Sequence, residues 1–158
     1  MKALALASFD DPTAVIDVPD PEAGAGEVLV RVRAASVNAF DVMVAAGYMK
    51  DFLPYGFPAV IGSDLAGTVA ALGEGVEGFS VGERVFGMMG MKGAIHDGSF
   101  AELANPQEGS IASTPEGISD ADAGSLAVAG TTAMSAIQAT DPTAGETVLV
   151  IGATGGVG

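Results

Sequence analysis

Residues 146–158 read Glu-Thr-Val-Leu-Val-Ile-Gly-Ala-Thr-Gly-Gly-Val-Gly, an apolar run that leads directly into a glycine-rich turn. Continuous apolar runs of this length are typical of parallel strands that are covered on both faces, because neither face meets water. We therefore predict a buried strand over residues 146–151. A strand of this kind normally passes through a tight turn into a helix, so the stretch indicates the start of an α/β layer.

The turn after this strand has the composition of an anion-binding turn. Ala153, Gly155 and Gly158 have the spacing of the motif G-x-G-x-x-G, with alanine at the first position. Small residues there allow a sharp turn, let backbone N–H groups approach a pyrophosphate, and let the next helix pack closely. The sequence thus predicts a dinucleotide-binding turn. Its residues are Ala153, Thr154, Gly155, Gly156, Val157 and Gly158.

The dinucleotide-binding unit is incomplete in this sequence. A helix, a second strand and an acidic residue about 20 positions further on would be expected after the turn. A single strand cannot bury both of its faces alone. We therefore interpret the chain as the front part of a longer protein.

The composition is that of a folded, acidic protein. Apolar residues make up 49% of the 158 residues, and 6 Lys and Arg against 20 Asp and Glu give a net charge of −14. Such a charge argues against binding to nucleic acid or to anionic membranes. We find no apolar run of about 18 residues and no signal peptide, so we expect a cytoplasmic protein.

Metal and thiol chemistry are restricted by two residue types. The sequence contains no cysteine, which excludes disulfides, thiolate-bound zinc and a cysteine nucleophile. A single histidine, His96, rules out a multi-histidine metal site. Asp and Glu could still hold Mg²⁺ or Ca²⁺, but we find no Asp-rich loop at EF-hand spacing, so we predict no bound metal.

The part of the chain before residue 119 predicts short strands. In residues 27–35, Val28, Val30 and Val32 share one face of an alternating strand. Gly67 interrupts another predicted strand and indicates a bulge or a close backbone approach. The further predicted strands are residues 2–7, 14–18, 64–72, 82–86 and 99–104. Many short strands at regular spacing predict a small barrel or sandwich.

Helices are predicted in two places. Asn38 is a good N-cap for a short helix over residues 39–46. Ser119, with an acid three residues later, begins an alanine-rich helical stretch that we expect to break at Gly130. A second helix then runs to Asp141, where the following proline ends it.

Six segments, in order, resemble the medium-chain dehydrogenase/reductase superfamily, in its zinc-independent quinone oxidoreductase branch. They are residues 35–41 (ASVNAFD), 58–69 (PAVIGSDLAGTV), 81–87 (VGERVFG), 98–102 (GSFAE), 130–133 (GTTA) and 145–158 (GETVLVIGATGGVG). The resemblance implies a mainly β fold with helices. It has a GroES-like β-barrel substrate domain over residues 1–118, connecting helices over 119–144, and the first strand of a truncated Rossmann α/β domain over 145–158.

The resemblance also shows which branch the chain is similar to. Zinc alcohol dehydrogenases of this superfamily carry a cysteine ligand where Asn38 stands, a histidine ligand where Ser63 stands, and a relay hydroxyl where Phe40 stands. The loop over residues 87–98 is short and free of cysteine, so it cannot form the structural zinc lobe. The implied chemistry is hydride transfer from NADPH, with NADH as an alternative, to a quinone or an α,β-unsaturated carbonyl.

Site residues follow from matching positions. The resemblance implies that Asn38 lies beside the nicotinamide ribose and the substrate, and that Thr132 lies near the nicotinamide carboxamide. Tyr48, just past the first helix, is a candidate to stack on a quinone. Asp41 is interpreted as scaffold, and His96 with the aspartate after it as a surface pair.

Two alternatives to an NADPH-dependent quinone oxidoreductase remain open. The chain could be a stand-alone GroES-like binding or assembly module, or a piece of an enoyl reductase domain from a larger synthase. In the leading interpretation this chain alone is inactive. We expect its apolar tail either to fray or to pair with a second copy as a homodimer.

Overall fold

Eight strands form two antiparallel sheets in the computed structural model, which describes residues 1–91 and 93–158. They are β1 (Lys2–Leu6), β2 (Ala14–Asp17), β3 (Val28–Ala34), β4 (Ala59–Val60), β5 (Asp64–Leu72), β6 (Arg84–Met88), β7 (Leu103–Ala104) and β8 (Ile111–Ser113). The smaller sheet has the order β2-β1-β4, and the larger has the order β7-β3-β5-β6-β8. Lys92, which falls within the loop predicted over residues 87–98, lies outside the described residues.

The alternation in β3 builds the main core. Val28 and Val30 are fully buried, whereas Arg31 and Arg33 are exposed, as the sequence predicts. The valines pack against residues of the neighbouring strands. The buried members of this core are Val28, Val30, Leu65, Val69, Val85 and Ala104. Burial of these side chains on one face holds the larger sheet together.

The predicted close approach at Gly67 is confirmed. Gly67 in β5 pairs with Val32 in β3, next to a register shift between Val32 and Ala34. A Cβ atom at Gly67 would lie 2.1 Å from the backbone oxygen of Arg31. Only glycine lets β3 and β5 approach this closely.

The segment over residues 100–102 connects the two sheets by backbone hydrogen bonds. The N–H of Leu4 in β1 donates to the carbonyl of Phe100 over 2.8 Å, and the N–H of Val32 in β3 donates to the carbonyl of Glu102 over 3.1 Å. The segment before β7 therefore bridges β1 and β3. The strand predicted over residues 99–104 shortens to β7, because this segment crosses between the sheets and pairs with β1 through the single bridge Ala3–Ala101. The described strands form an open, barrel-like pair of sheets rather than a closed barrel.

The helices are α1 (Ala39–Ala45), a 3-10 helix (Glu108–Ser110), α2 (Asp120–Ala123) and α3 (Ala127–Thr140). Ser119 caps α2 as predicted, since its hydroxyl accepts from the N–H of Asp122 over 3.1 Å. The predicted break at Gly130 is wrong: the helix continues through Gly130, and the break falls at Gly124. A Cβ at Gly124 would lie 3.2 Å from the backbone of Ala34, whereas one at Gly130 would meet no atom within 4 Å.

The predicted strand over residues 146–151 does not form. These residues pair with no described strand, and Leu149 and Ile151 are 83% and 90% exposed. An apolar run becomes a strand only where a neighbour supplies hydrogen-bond partners. The described strands all lie in the two sheets, which end with β8. Within the described part of the chain, no helix is long and apolar enough to cross a membrane.

Candidate functional site

A buried carboxylate connects three segments at one end of β5. Asp64 is fully buried. Its Oδ2 accepts from the hydroxyl of Ser36 over 2.5 Å and from Nδ2 of Asn38 over 3.0 Å. Its Oδ1 accepts from the backbone N–H of Val128 over 2.8 Å. The loop after β3 and the first turn of α3 are thereby held on the same side chain.

A second buried carboxylate holds the backbone of the same loop. Asp41, in the first turn of α1, is 3% exposed. One of its oxygens accepts from the backbone N–H of Asn38 over 2.7 Å, and the other accepts from the hydroxyl of Ser63 over 2.6 Å. Asn38 is the N-cap residue of α1, as predicted, and Asp41 has the predicted scaffold role.

Ser63, which the resemblance places where zinc enzymes carry a histidine, has a hydroxyl that already has a partner. Ser63 donates to Asp41, and its carbonyl accepts from the N–H of Met89 over 2.7 Å. Hydroxyl and amide groups that are committed to carboxylates form no tetrahedral zinc site. Among residues 1–91 and 93–158, the structure places no three His, Cys, Asp or Glu side chains in a group that could hold a metal.

A narrow cavity of about 50 Å³ adjoins this network. Phe40 and Ser63, two of the positions that distinguish the zinc enzymes, both line it. The other lining residues are Asp41, Val44, Val60, Ile61, Gly62, Met89, Gly90, Met91, Ala94, Ile95 and Asp97. The cavity is mostly apolar and holds little more than one or two water molecules.

Aromatic side chains support the far side of α1. The ring of Tyr55 stacks on that of Phe57 with centroids 5.9 Å apart, and Phe9 meets both rings edge-on at 4.9 Å. The phenol donates to the carbonyl of Val44 over 3.2 Å. Burial raises the pKa of the Tyr55 phenol above its usual value. This cluster fixes the helix that carries Asp41.

Thr132 and Asn38 belong to segments that the same carboxylate joins. Thr132 lies in α3, one turn after Val128, and its hydroxyl donates to the carbonyl of Val128 over 2.6 Å. The N–H of Val128 donates to Asp64, which also binds the amide of Asn38. Thr132 itself is exposed.

The glycine-rich turn lies beside the same helix. Residues 152–158 fold into a turn in which the N–H of Gly155 donates to the carbonyl of Gly152 over 2.9 Å. A Cβ at Gly158 would come within 2.4 Å of that carbonyl, so the turn requires a small residue there. A groove of about 690 Å³ separates the turn from α3. The residues of α3 that line this groove are Ala133, Ala136, Ile137 and Thr140.

Among the described residues, the other sequence candidates make no hydrogen bond to this network, although Asp97 lines the cavity beside it. Tyr48 is 72% exposed beyond the end of α1, and its N–H donates to the carbonyl of Met43 over 3.0 Å. His96 and Asp97 form the predicted exposed pair, with Nδ1 and Oδ1 2.7 Å apart. Sequence reasoning missed Asp64 and Ser36. The available signal was one acid inside the otherwise weakly polar stretch 58–69.

The profile of the family described as "Alcohol dehydrogenase GroES-like domain" matches residues 24–134. Quinone-oxidoreductase QR1, chloroplastic, from Triphysaria versicolor is 33% identical over 151 residues, which cover 90% of this chain and 44% of that protein. Erythronolide synthase EryA2 from Saccharopolyspora erythraea is 39% identical over 151 residues, covering 94% of this chain and 4% of the synthase. The chain thus spans less than half the length of these relatives.

Solved structures agree with the sequence relatives. An alcohol dehydrogenase superfamily protein from Novosphingobium aromaticivorans superimposes with a TM-score of 0.88 at 32% identity, over 99% of this chain and 47% of that one. Mycobacterial Rv1454c complexed with NADPH gives a TM-score of 0.76 at 29% identity, over 90% of this chain and 42% of that one. These matches confirm the predicted resemblance and fold class. The chain belongs to the alcohol dehydrogenase GroES-like domain family, as an N-terminal portion of the medium-chain dehydrogenase/reductase type.

Proposed function

We propose that this chain is the substrate-domain part of an oxidoreductase that uses NADPH to reduce a quinone or an α,β-unsaturated carbonyl without zinc. The proposal rests on the residues found at the two positions where the resemblance places the ligands of zinc enzymes. Asn38 and Ser63 stand there, and each is hydrogen bonded to a buried carboxylate. The similarity to quinone oxidoreductases supports the acceptor class.

We further propose the division of the chain that the sequence predicts. Residues 1–118 form the substrate domain, residues 119–144 the connecting helices, and residues 145–158 the start of the cofactor domain. The residues at the end of the chain fit a pyrophosphate, because residues 152–158 form a glycine turn with exposed backbone beside α3. The NADPH complex of mycobacterial Rv1454c supports NADPH, and NADH is the alternative that the assay below includes.

In this proposal, bound NADPH supplies the hydride, and the chain's own residues supply alignment. Asn38 is fixed through both its backbone and its amide, so its side chain offers a polar contact in one orientation. The face of α3 that carries Thr132 contacts the nicotinamide end of the cofactor, and the turn at residues 153–158 contacts its pyrophosphate. Tyr48, which is exposed beyond the end of α1 and does not line the cavity, is retained as the candidate that stacks on an aromatic acceptor. Fixed alignment of two reactants supplies a large share of the rate in such transfers.

A second candidate function is supported by a specific similarity. The identity to erythronolide synthase EryA2, 39%, is higher than the 33% to the chloroplastic quinone oxidoreductase. An enoyl reductase module would take an α,β-unsaturated thioester in place of a quinone. Both candidates use the same hydride donor, so the acceptor distinguishes them.

The test is a steady-state assay of the complete gene product with NADPH or NADH and three acceptors: a benzoquinone, an enone and a crotonyl thioester. We expect NADPH oxidation with the quinone or the enone. Turnover with the thioester alone would favour the enoyl reductase. Loss of NADPH oxidation with all three acceptors would contradict an enzymatic role and favour a binding module.

A further inference from the structure

We propose that Asp64 is a positioning residue for the reaction: its buried carboxylate sets the amide of Asn38 and the first turn of α3 in one fixed arrangement. This inference rests on the proposed function, since it assigns a role in that site. Asp64 reaches neither the cavity nor the exposed face of α3 by itself. It acts through the groups that donate to it.

Asp64 binds three donors that come from distant parts of the chain. Asp64 is 0% exposed, and three groups donate to its two oxygens: the Ser36 hydroxyl, the Asn38 amide and the Val128 N–H. These donors come from residues 28, 26 and 64 positions away in sequence. Hydrogen bonds to a carboxylate are stronger than neutral ones, and they hold distant segments together when water is excluded.

The two buried carboxylates, Asp41 and Asp64, bind different parts of Asn38. Asp41 binds the backbone N–H of Asn38, so it determines where the chain passes. Asp64 binds Nδ2 of Asn38, so it determines where the side-chain amide points. Ser36 accepts a second bond from that amide over 3.3 Å and donates to Asp64, which closes a small ring of three polar groups.

Asp64 also binds a backbone N–H group at the start of α3. The N–H groups in the first turn of a helix have no acceptor within the helix. Asp64 supplies one to Val128, the second residue of α3, and its negative charge complements the helix dipole. Thr132 lies one turn further along and binds the carbonyl of Val128. The same carboxylate therefore sets the position of both residues that the family resemblance assigns to the nicotinamide.

The experiment is a double-mutant cycle in the complete protein between Asp64→Asn and Asn38→Ala. An asparagine at position 64 keeps the shape, but its NH₂ group must face one of the present donors. We expect Asp64→Asn to lower kcat/KM by about 10-fold or more in the wild-type background and by less than about 3-fold in the Asn38→Ala background. Equal losses in both backgrounds would overturn the inference.

Glu83→Gln is the matched control, because it makes the same carboxylate-to-amide change at a residue that binds Ser80 and Ser113 rather than Asn38. It should leave kcat/KM nearly unchanged in both the wild-type and the Asn38→Ala backgrounds. If Asp64→Asn does not fold, Ser36→Ala replaces it as a milder change to the same ring. We then expect a loss of kcat/KM of about 3-fold that disappears in the Asn38→Ala background; a loss that persists there would contradict the inference.

The inference and the proposed function fail separately. If the wild-type protein reduces no quinone, enone or unsaturated thioester, the proposed function is wrong, and the same cycle is then read by urea unfolding. If the midpoint shifts of the two single variants do not add up to the shift of the double variant, Asp64 still positions Asn38. Additive shifts would reject the positioning of Asn38 by Asp64 as well.

Discussion

Replacing Gly67 with alanine should weaken the fold more than any other single added methyl group in the pairing of β3 with β5. The new Cβ would lie 2.1 Å from the backbone oxygen of Arg31 and 2.9 Å from Cγ1 of Val30. Ordinary contacts between such atoms are about 3.5 Å, so the strands would have to separate locally by roughly 1.4 Å. The obstacle is a backbone carbonyl in a paired strand, so no side-chain rotation relieves it.

The cost follows from what must move. Inserting a methylene into a well-packed interior costs about 1–3 kcal/mol, and backbone obstacles lie at the upper end, so we expect Gly67→Ala to lower the free energy of unfolding by about 3 kcal/mol. The assay is urea unfolding followed by circular dichroism, with Gly130→Ala as the matched control. A Cβ at Gly130 meets no atom within 4 Å, so alanine there should stabilise α3 by up to about 1 kcal/mol. A Gly67→Ala midpoint equal to that of the wild type would refute the close approach of the two strands.

Three further predictions concern the site and its surroundings. In the complete protein, Asn38→Ala should lower kcat/KM by about 10-fold or more, equivalent to about 1.4 kcal/mol of barrier; loss of the amide's bonds to Asp64 and Ser36 should cost about 1 kcal/mol of stability. Wild-type kinetics in a folded variant would leave Asn38 with only a structural role. Hydrogen bonds from the Ser113 hydroxyl and the Ser80 N–H lower the pKa of Glu83. Glu83 therefore stabilises the fold above its unfolded-state pKa, and this contribution disappears as the pH falls through the lowered value. In Glu83→Gln, the urea midpoint should fall less steeply with decreasing pH than in the wild type. An equally steep fall in both proteins would contradict this prediction. NADPH titrated into this 158-residue chain alone should bind with a Kd of roughly millimolar or weaker, measured by nicotinamide fluorescence; micromolar binding with quinone-dependent oxidation would show that this chain suffices.

Local sequence patterns predicted the alternation in β3 and the serine cap of α2, because both depend on neighbours in the chain. The close approach at Gly67 was also predicted, because a glycine inside a strand indicates a close contact even though it does not identify Arg31 as the partner. The helix break was misplaced because it depends on the backbone of Ala34, which crosses at Gly124. No local pattern reports such a crossing.

The candidate site was predictable only in part. Asn38 was identified from a family resemblance and from its place before a helix. The role of Asp64 was not, because its partners are 26 to 64 residues away in sequence. The strand expected over residues 146–151 failed for a related reason. Hydropathy reports that a segment can be buried, but a strand also needs a neighbour with free hydrogen-bonding groups.

The central claim is hydride transfer without zinc, and one measurement tests it directly. The complete protein is purified without a metal column and treated with a chelator. Its zinc content is then determined by elemental analysis, and its NADPH oxidation is measured with a quinone and an enone before and after zinc is added. We predict less than about 0.1 zinc per chain and the same rate in all samples, because neither Asn38 nor Ser63 can serve as a ligand. About one zinc per chain, or a rate that is lost with the chelator and restored by zinc, would contradict the account.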